Sequence, residues 1–185
     1  MVMFAPEEVR PLKRAEYDRL IELGAFQDEK IELLEGALVA MSPIGAPHSS
    51  AVQKLNALLL PALIGRATVR IQSPFGALDT SEPEPDVAIV PLGDYDEEHP
   101  TVAYLIIEVA ETSLRRDRVV KQRIYAKSGV HEYWIVNTAD KCIEIFANPD
   151  LASGTYRTVE SVPHDGSVAL GRFPDVVVKV CDVMR

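Results

Sequence analysis

Two carboxylates stand where acidic side chains are costly. Glu108 closes the apolar run Tyr104-Leu105-Ile106-Ile107, and Asp86 heads a second run, Val87-Ala88-Ile89-Val90, directly after Pro85, which fixes the entry to a strand. An ionised carboxylate in such a segment is penalised unless it is paired or bound to a cation. At the ends of two neighbouring strands the pair can converge on one point. Carboxylate oxygens suit a hard octahedral ion, Mg²⁺ or Mn²⁺, which keeps several waters for a substrate phosphate and a nucleophile. The chemistry this favours is phosphodiester hydrolysis. It profits from a nearby cation that activates the water or stabilises charge on the phosphate oxygens. Lys121 is the candidate, since Leu114, Arg118, Lys121 and Tyr125 follow at three- and four-residue steps and share one face of a helix.

Each of these residues also has a plainer reading. Asp86 could cap a turn, Glu108 could end its strand in solvent, and Lys121 could pair with Asp117 one helical turn earlier. Arg118 is either a phosphate contact or a solvated helix residue. His48 is either a general base or phosphate ligand, or a surface residue of a Ser- and Pro-containing loop. Tyr125, Tyr133 and Trp134 read as packing residues with a satisfied polar tip rather than as platforms for bases.

The elements that must position this chemistry follow from periodicity. Residues 14–23 read as a short amphipathic helix stopped by Gly24, and 30–34 and 37–41 as a hairpin about Glu35-Gly36. After His48, a serine cap is expected to open a helix whose Val52, Leu55, Leu58, Leu59 and Leu63 form one face. Strands are expected at 68–72, 85–90 and 103–110, the last buried on both faces. Thr112 or Ser113 should cap a helix over 114–128, with Val120 and Ile124 on its buried face and Gly129 as its stop. Strands at 132–137 and 141–147 and peripheral β structure at 155–160 and 176–180 complete a mixed central β-sheet flanked by helices, an α/β or α+β fold.

Composition bounds the rest. With 185 residues, 47% hydrophobic and 25% charged, the chain is expected to form one domain around one core. Its start lacks the basic and apolar pattern of a signal peptide, and the apolar run 55–64, broken by Asn56 and Pro61, is about half a membrane span. A soluble, cytoplasmic protein without a membrane segment is expected. Cys142 and Cys181, far apart and outside any Cys-x-x-Cys spacing, read as buried free thiols. A formal charge of −9 weighs against a general nucleic-acid-binding surface. Against that, Arg115, Arg116, Arg118, Lys121, Arg123 and Lys127 crowd one segment and predict a local basic rim.

The chain resembles the PD-(D/E)XK nuclease superfamily and, within it, a bacterial restriction-endonuclease-like branch. The resemblance runs over about 32–146 and is carried by Glu84-Pro85-Asp86, Leu105-Ile106-Ile107-Glu108-Val109, Asp117-Arg118-x-x-Lys121 followed by Tyr125, and Gly129-Val130-His131-Glu132-Tyr133-Trp134-Ile135-Val136. It implies Asp86 and Glu108 as metal ligands and Glu35 as a further acidic member. One position departs from the pattern. The superfamily lysine two residues after the second acid is here Ala110, on the same strand face as Glu108. The resemblance implies that the lysine has moved to the following helix, as Lys121.

The function expected is a Mg²⁺- or Mn²⁺-dependent endonuclease acting on DNA, in which a homodimer would cut both strands of a duplex. Two alternatives remain open: a nuclease-like domain without catalysis that serves as a nucleic-acid or protein interaction module, and an enzyme using the same centre on another phosphate ester. No helix-turn-helix, zinc-finger spacing or long basic tail is present, which leaves specificity to loops such as 42–47 and 92–100.

Overall fold

The computed structural model describes residues 9–184, so the N-terminal residues read for targeting, and Arg185, lie outside it. Helix α1 (Arg14–Glu22) leads into a hairpin of β1 (Ile31–Leu34) and β2 (Ala37–Ala40). The long helix α2 (Ala46–Leu63) precedes strands β3 (Thr68–Ile71), β4 (Val87–Val90) and β5 (Leu105–Ala110). A broken helix follows, made of α3 (Leu114–Arg116), a π-helical turn (Asp117–Lys121) and α4 (Gln122–Lys127). Strands β6 (Glu132–Asn137), β7 (Cys142–Asp150) and β8 (Thr155–Val162) come next, then the short pair β9 (Ser167–Ala169) and β10 (Val177–Lys179) and helix α5 (Val180–Val183).

Strands β3 to β8 lie in sequence order in one six-stranded sheet. Every pairing is antiparallel except β5 with β6, which run parallel. A parallel pair needs a crossover, and the broken helix supplies it. Strand β5 is buried along its whole length, as its unbroken apolar pattern requires. Its Leu105, Ile107 and Val109 face α2, packing with Leu55, Leu59 and Leu63. Ile106 and Ala110 face the opposite side, against Tyr125, Ala126 and Tyr133. Strand alternation therefore sends Glu108 toward the broken helix. Gly36 has φ +80 in the β1–β2 turn, where a Cβ would clash with Pro11, so the tight turn depends on glycine. A bridge between Leu33 and Glu82 then ties the hairpin to the segment that enters β4.

Several expectations change in detail. Helix α2 begins before the serines, capped by the backbone of Gly45 with Pro47 in its first turn, where a missing N–H has no consequence. The helix over 114–128 is interrupted by the π turn, and Ser113 offers no cap; its hydroxyl donates to Asp117 Oδ2 at 2.5 Å instead. Ile124 is fully buried but Val120 only half so, because the wider π turn changes the phase of the helix. Both cysteines are free, yet Cys142 is half-buried and Cys181 exposed, each sitting at the rim of its element rather than in the core. Among the described residues no helix is long and apolar enough to cross a membrane.

Candidate active site

Antiparallel pairing of Val87 with Ile107 sets Asp86, one step before β4, beside Glu108 on β5. Both carboxylates are buried and both face a cavity of about 70 Å³. Glu84, Asp117, Lys121, His48 and the 41–45 loop also line it. Asp86 is held from several sides: Oδ2 accepts from the backbone N–H of Val109 at 2.8 Å and bonds His48 Nε2 at 3.0 Å, while Gln72 Nε2 reaches Oδ1 at 3.3 Å. Glu108 Oε1 accepts from Lys121 Nζ at 3.0 Å and from the Tyr125 hydroxyl at 2.7 Å. Its Oε2 has no protein donor among the described residues.

Lys121 therefore pairs with Glu108 rather than with Asp117. A second contact, to Glu32 Oε2 at 3.1 Å, completes its surroundings. Burial works against the ammonium, but Glu108, Glu32 and Asp117 outweigh it and raise the Lys121 pKa above its ordinary value. The lysine is a fixed cation. Burial raises the Glu108 and Asp117 carboxyls above the usual range, with Lys121 opposing it in both. Glu84 is raised by burial as well, with Glu32 adding to the effect. His48 is raised chiefly by its hydrogen bond to Asp86.

This donor set fits a divalent cation. The cavity gathers five carboxylates, those of Glu84, Asp86, Glu108, Glu111 and Asp117, against the cations of Lys121 and Arg116. Burial, with neighbouring carboxylates adding to it, raises Glu84, Glu108 and Asp117, and a bound cation would offset both effects. Among the described residues no three His, Cys, Asp or Glu side chains form a ready cage. Mg²⁺ does not need one, since it is bound by one or two carboxylates and keeps its waters.

The structure separates the other sequence candidates. Glu35 stands outside the cavity, in an exposed fork with Arg123 at 2.7 and 2.5 Å that lowers its pKa. The acid that approaches Lys121 from this hairpin is Glu32, fully buried, which the sequence reading passed over. Its signal was an acidic residue flanked by Ile31, Leu33 and Leu34. Arg118 is likewise outside, taken up by Glu144 at 2.8 and 2.5 Å. The 92–100 loop leaves β4 at the end opposite Asp86, whereas residues 42–45 of the 42–47 loop line the cavity. Tyr133 and Trp134 are fully buried packing residues, as is Tyr125 apart from its hydroxyl on Glu108.

Comparison with solved structures gives the crystal structure of a "putative nuclease belonging to DUF820" from Anabaena variabilis, 16% identical, with a TM-score of 0.69 over 94% of this chain and 97% of that one. That likeness establishes the restriction-endonuclease-like fold. The type IIG restriction endonuclease BpuSI matches over 59% of this chain and 13% of that one, 19% identical, with a TM-score of 0.35, too low to bear on fold or function. Comparison with curated proteins gives no match. A family model described as "Putative restriction endonuclease" matches residues 14–180, nearly the whole chain, and the protein belongs to that family, Uma2.

Proposed function

We propose that this protein is a Mg²⁺- or Mn²⁺-dependent endonuclease that hydrolyses DNA phosphodiester bonds in the cytoplasm, as a homodimer. The observation that carries the reading is the convergence of Asp86, Glu108 and Lys121 on one small acidic cavity. Asp86 and Glu108 Oε2 would hold the ion. Such an ion would supply Lewis-acid polarisation of the phosphate and acidify water.

The chain's own groups have distinct parts. Lys121 remains an ammonium, so it contributes positive charge at the phosphate and orients water rather than accepting a proton. Together with the Tyr125 hydroxyl it fixes Oε1 of Glu108 and leaves Oε2 as the oxygen that would hold the ion. His48 and the Val109 N–H fix Asp86, and the His48 ring forms part of the cavity wall.

Supercoiled and linear DNA incubated with the protein in Mg²⁺, Mn²⁺ and EDTA, beside Glu108→Ala and Lys121→Ala, test the reading. Metal-dependent nicking, lost in both variants, is expected. Activity that survives both substitutions, or its absence in the wild type, overturns it. Tight DNA binding without turnover would instead mark an interaction module, and faster cleavage of a small phosphodiester would mark a different substrate. Sedimentation of the intact protein tests the dimer.

A further inference from the structure

The acidic cavity is not closed. Ser42, Thr112, Ser113 and Arg116 line both it and an adjoining groove of about 480 Å³, whose other walls are Arg115, Val119 and Val120. The two spaces differ in charge. Five carboxylates face the cavity and none faces the groove.

Three of the neighbouring cations are already paired. Arg118 is saturated by Glu144, Arg123 by Glu35, and Lys121 by Glu108 and Glu32. Arg115 is exposed, and no side-chain hydrogen bond or ion pair among the described residues involves it. The Nε of Arg116 is shielded from solvent yet donates to nothing, with Glu32 Oε1 at 4.0 Å. Arg115 is thus free and Arg116 is held only by its long contact to Glu32, on a chain whose formal charge of −9 makes an acid-free basic groove an uneven use of charge. Arginine forks match phosphate oxygens. The hydroxyls of Ser42 and Thr112 add donors, and the half-exposed Val119 offers an apolar surface to a sugar.

We infer that this groove binds the sugar–phosphate backbone of the DNA strand flanking the scissile bond, with Arg115 and Arg116 as its phosphate ligands. The inference rests on the nuclease reading of the cavity. Continuity between groove and cavity lets one strand present a phosphate to Asp86 and Glu108 while its neighbours lie on the arginines.

Fluorescence anisotropy of a labelled duplex oligonucleotide in EDTA, across a salt series, tests this. Removing one phosphate-binding cation lowers the slope of log K against log salt by about 0.9, so Arg115→Ala and Arg116→Ala each lower it by about 1 and the double variant by about 2. Arg157→Ala, an exposed arginine on β8, is the control and leaves the slope unchanged. Because Arg116 lies near Glu32, the exposed Arg115→Glu provides a second variant that keeps the wild-type melting temperature and weakens binding further. In Mg²⁺, Arg115→Ala raises KM for DNA and leaves kcat intact. A wild type that binds and nicks DNA, with slope and KM unchanged in every arginine variant, overturns the groove and spares the nuclease reading. A wild type that neither binds nor nicks overturns both.

Discussion

Replacing Lys121 by methionine keeps its bulk and deletes its charge. Its side chain is 4% exposed, and it bridges Glu108 at 3.0 Å and Glu32 at 3.1 Å, whose side chains are 6% and 0% exposed. Removing one partner of a buried ion pair leaves the other uncompensated and destabilises by about 3–5 kcal/mol. For a chain of this size the melting temperature falls by roughly 10 °C. The destabilisation has a defined pH dependence. Without the ammonium, the Glu108 carboxyl shifts further upward in the folded state and binds a proton that the unfolded chain has released, so stability declines as pH rises through that window. The deficit of Lys121→Met is therefore largest at pH 8.5 and shrinks at pH 5.5, and Lys121→Met with Glu108→Gln recovers part of it. Circular-dichroism melts at both pH values measure this. A Lys121→Met protein melting within about 2 °C of wild type at pH 8.5 would show that the lysine is not the central cation of this cluster.

Other expectations follow from the same geometry. The His48 pKa is raised by Asp86, so their contact stabilises the fold below pH about 6.5 and fades as pH rises through the folded value. An ion at Asp86 competes for the same carboxylate, and Mg²⁺ should lower the His48 pKa in an NMR titration. An unchanged His48 titration in saturating Mg²⁺ would argue that Asp86 is no ligand. Glu82, buried near Asp18, has its pKa raised to about 7. Folded Glu82 keeps a proton that the unfolded chain loses, so its contribution worsens as pH rises from about 4.5 to 7, and Glu82→Gln should raise the melting temperature at pH 8 more than at pH 5. A gain independent of pH would contradict this. Glu35→Ala removes only an exposed pair with Arg123, contributing about 0–1 kcal/mol, and DNA nicking should stay within about twofold of wild type. Abolished nicking would return Glu35 to the site.

Residue type and period by themselves determined the strands that carry Asp86 and Glu108. An apolar run ended by Glu108, and another begun by Asp86 after Pro85, reveal buried acids, because the charge penalty in such segments is offset only by a counter-charge or a bound cation. The lysine on the following helix was legible from its spacing to Tyr125, and both side chains do meet Glu108. Tertiary structure decided which further groups join them. Glu32 and Glu35 are three residues apart in one hairpin, and nothing local says which meets Lys121. The choice is made by the Leu33–Glu82 bridge, which buries Glu32, while the positive φ of Glu35 in the turn leaves it at the surface. Arg116 and Arg118, two residues apart, face opposite sides of a helix by local spacing alone, but only the packed sheet decides that one side meets the cavity and the other meets Glu144 on β7. Helical phase within one segment follows from local spacing, but partners across a sheet depend on register and on a single added residue in a turn, and those are fixed only when the distant strands pack.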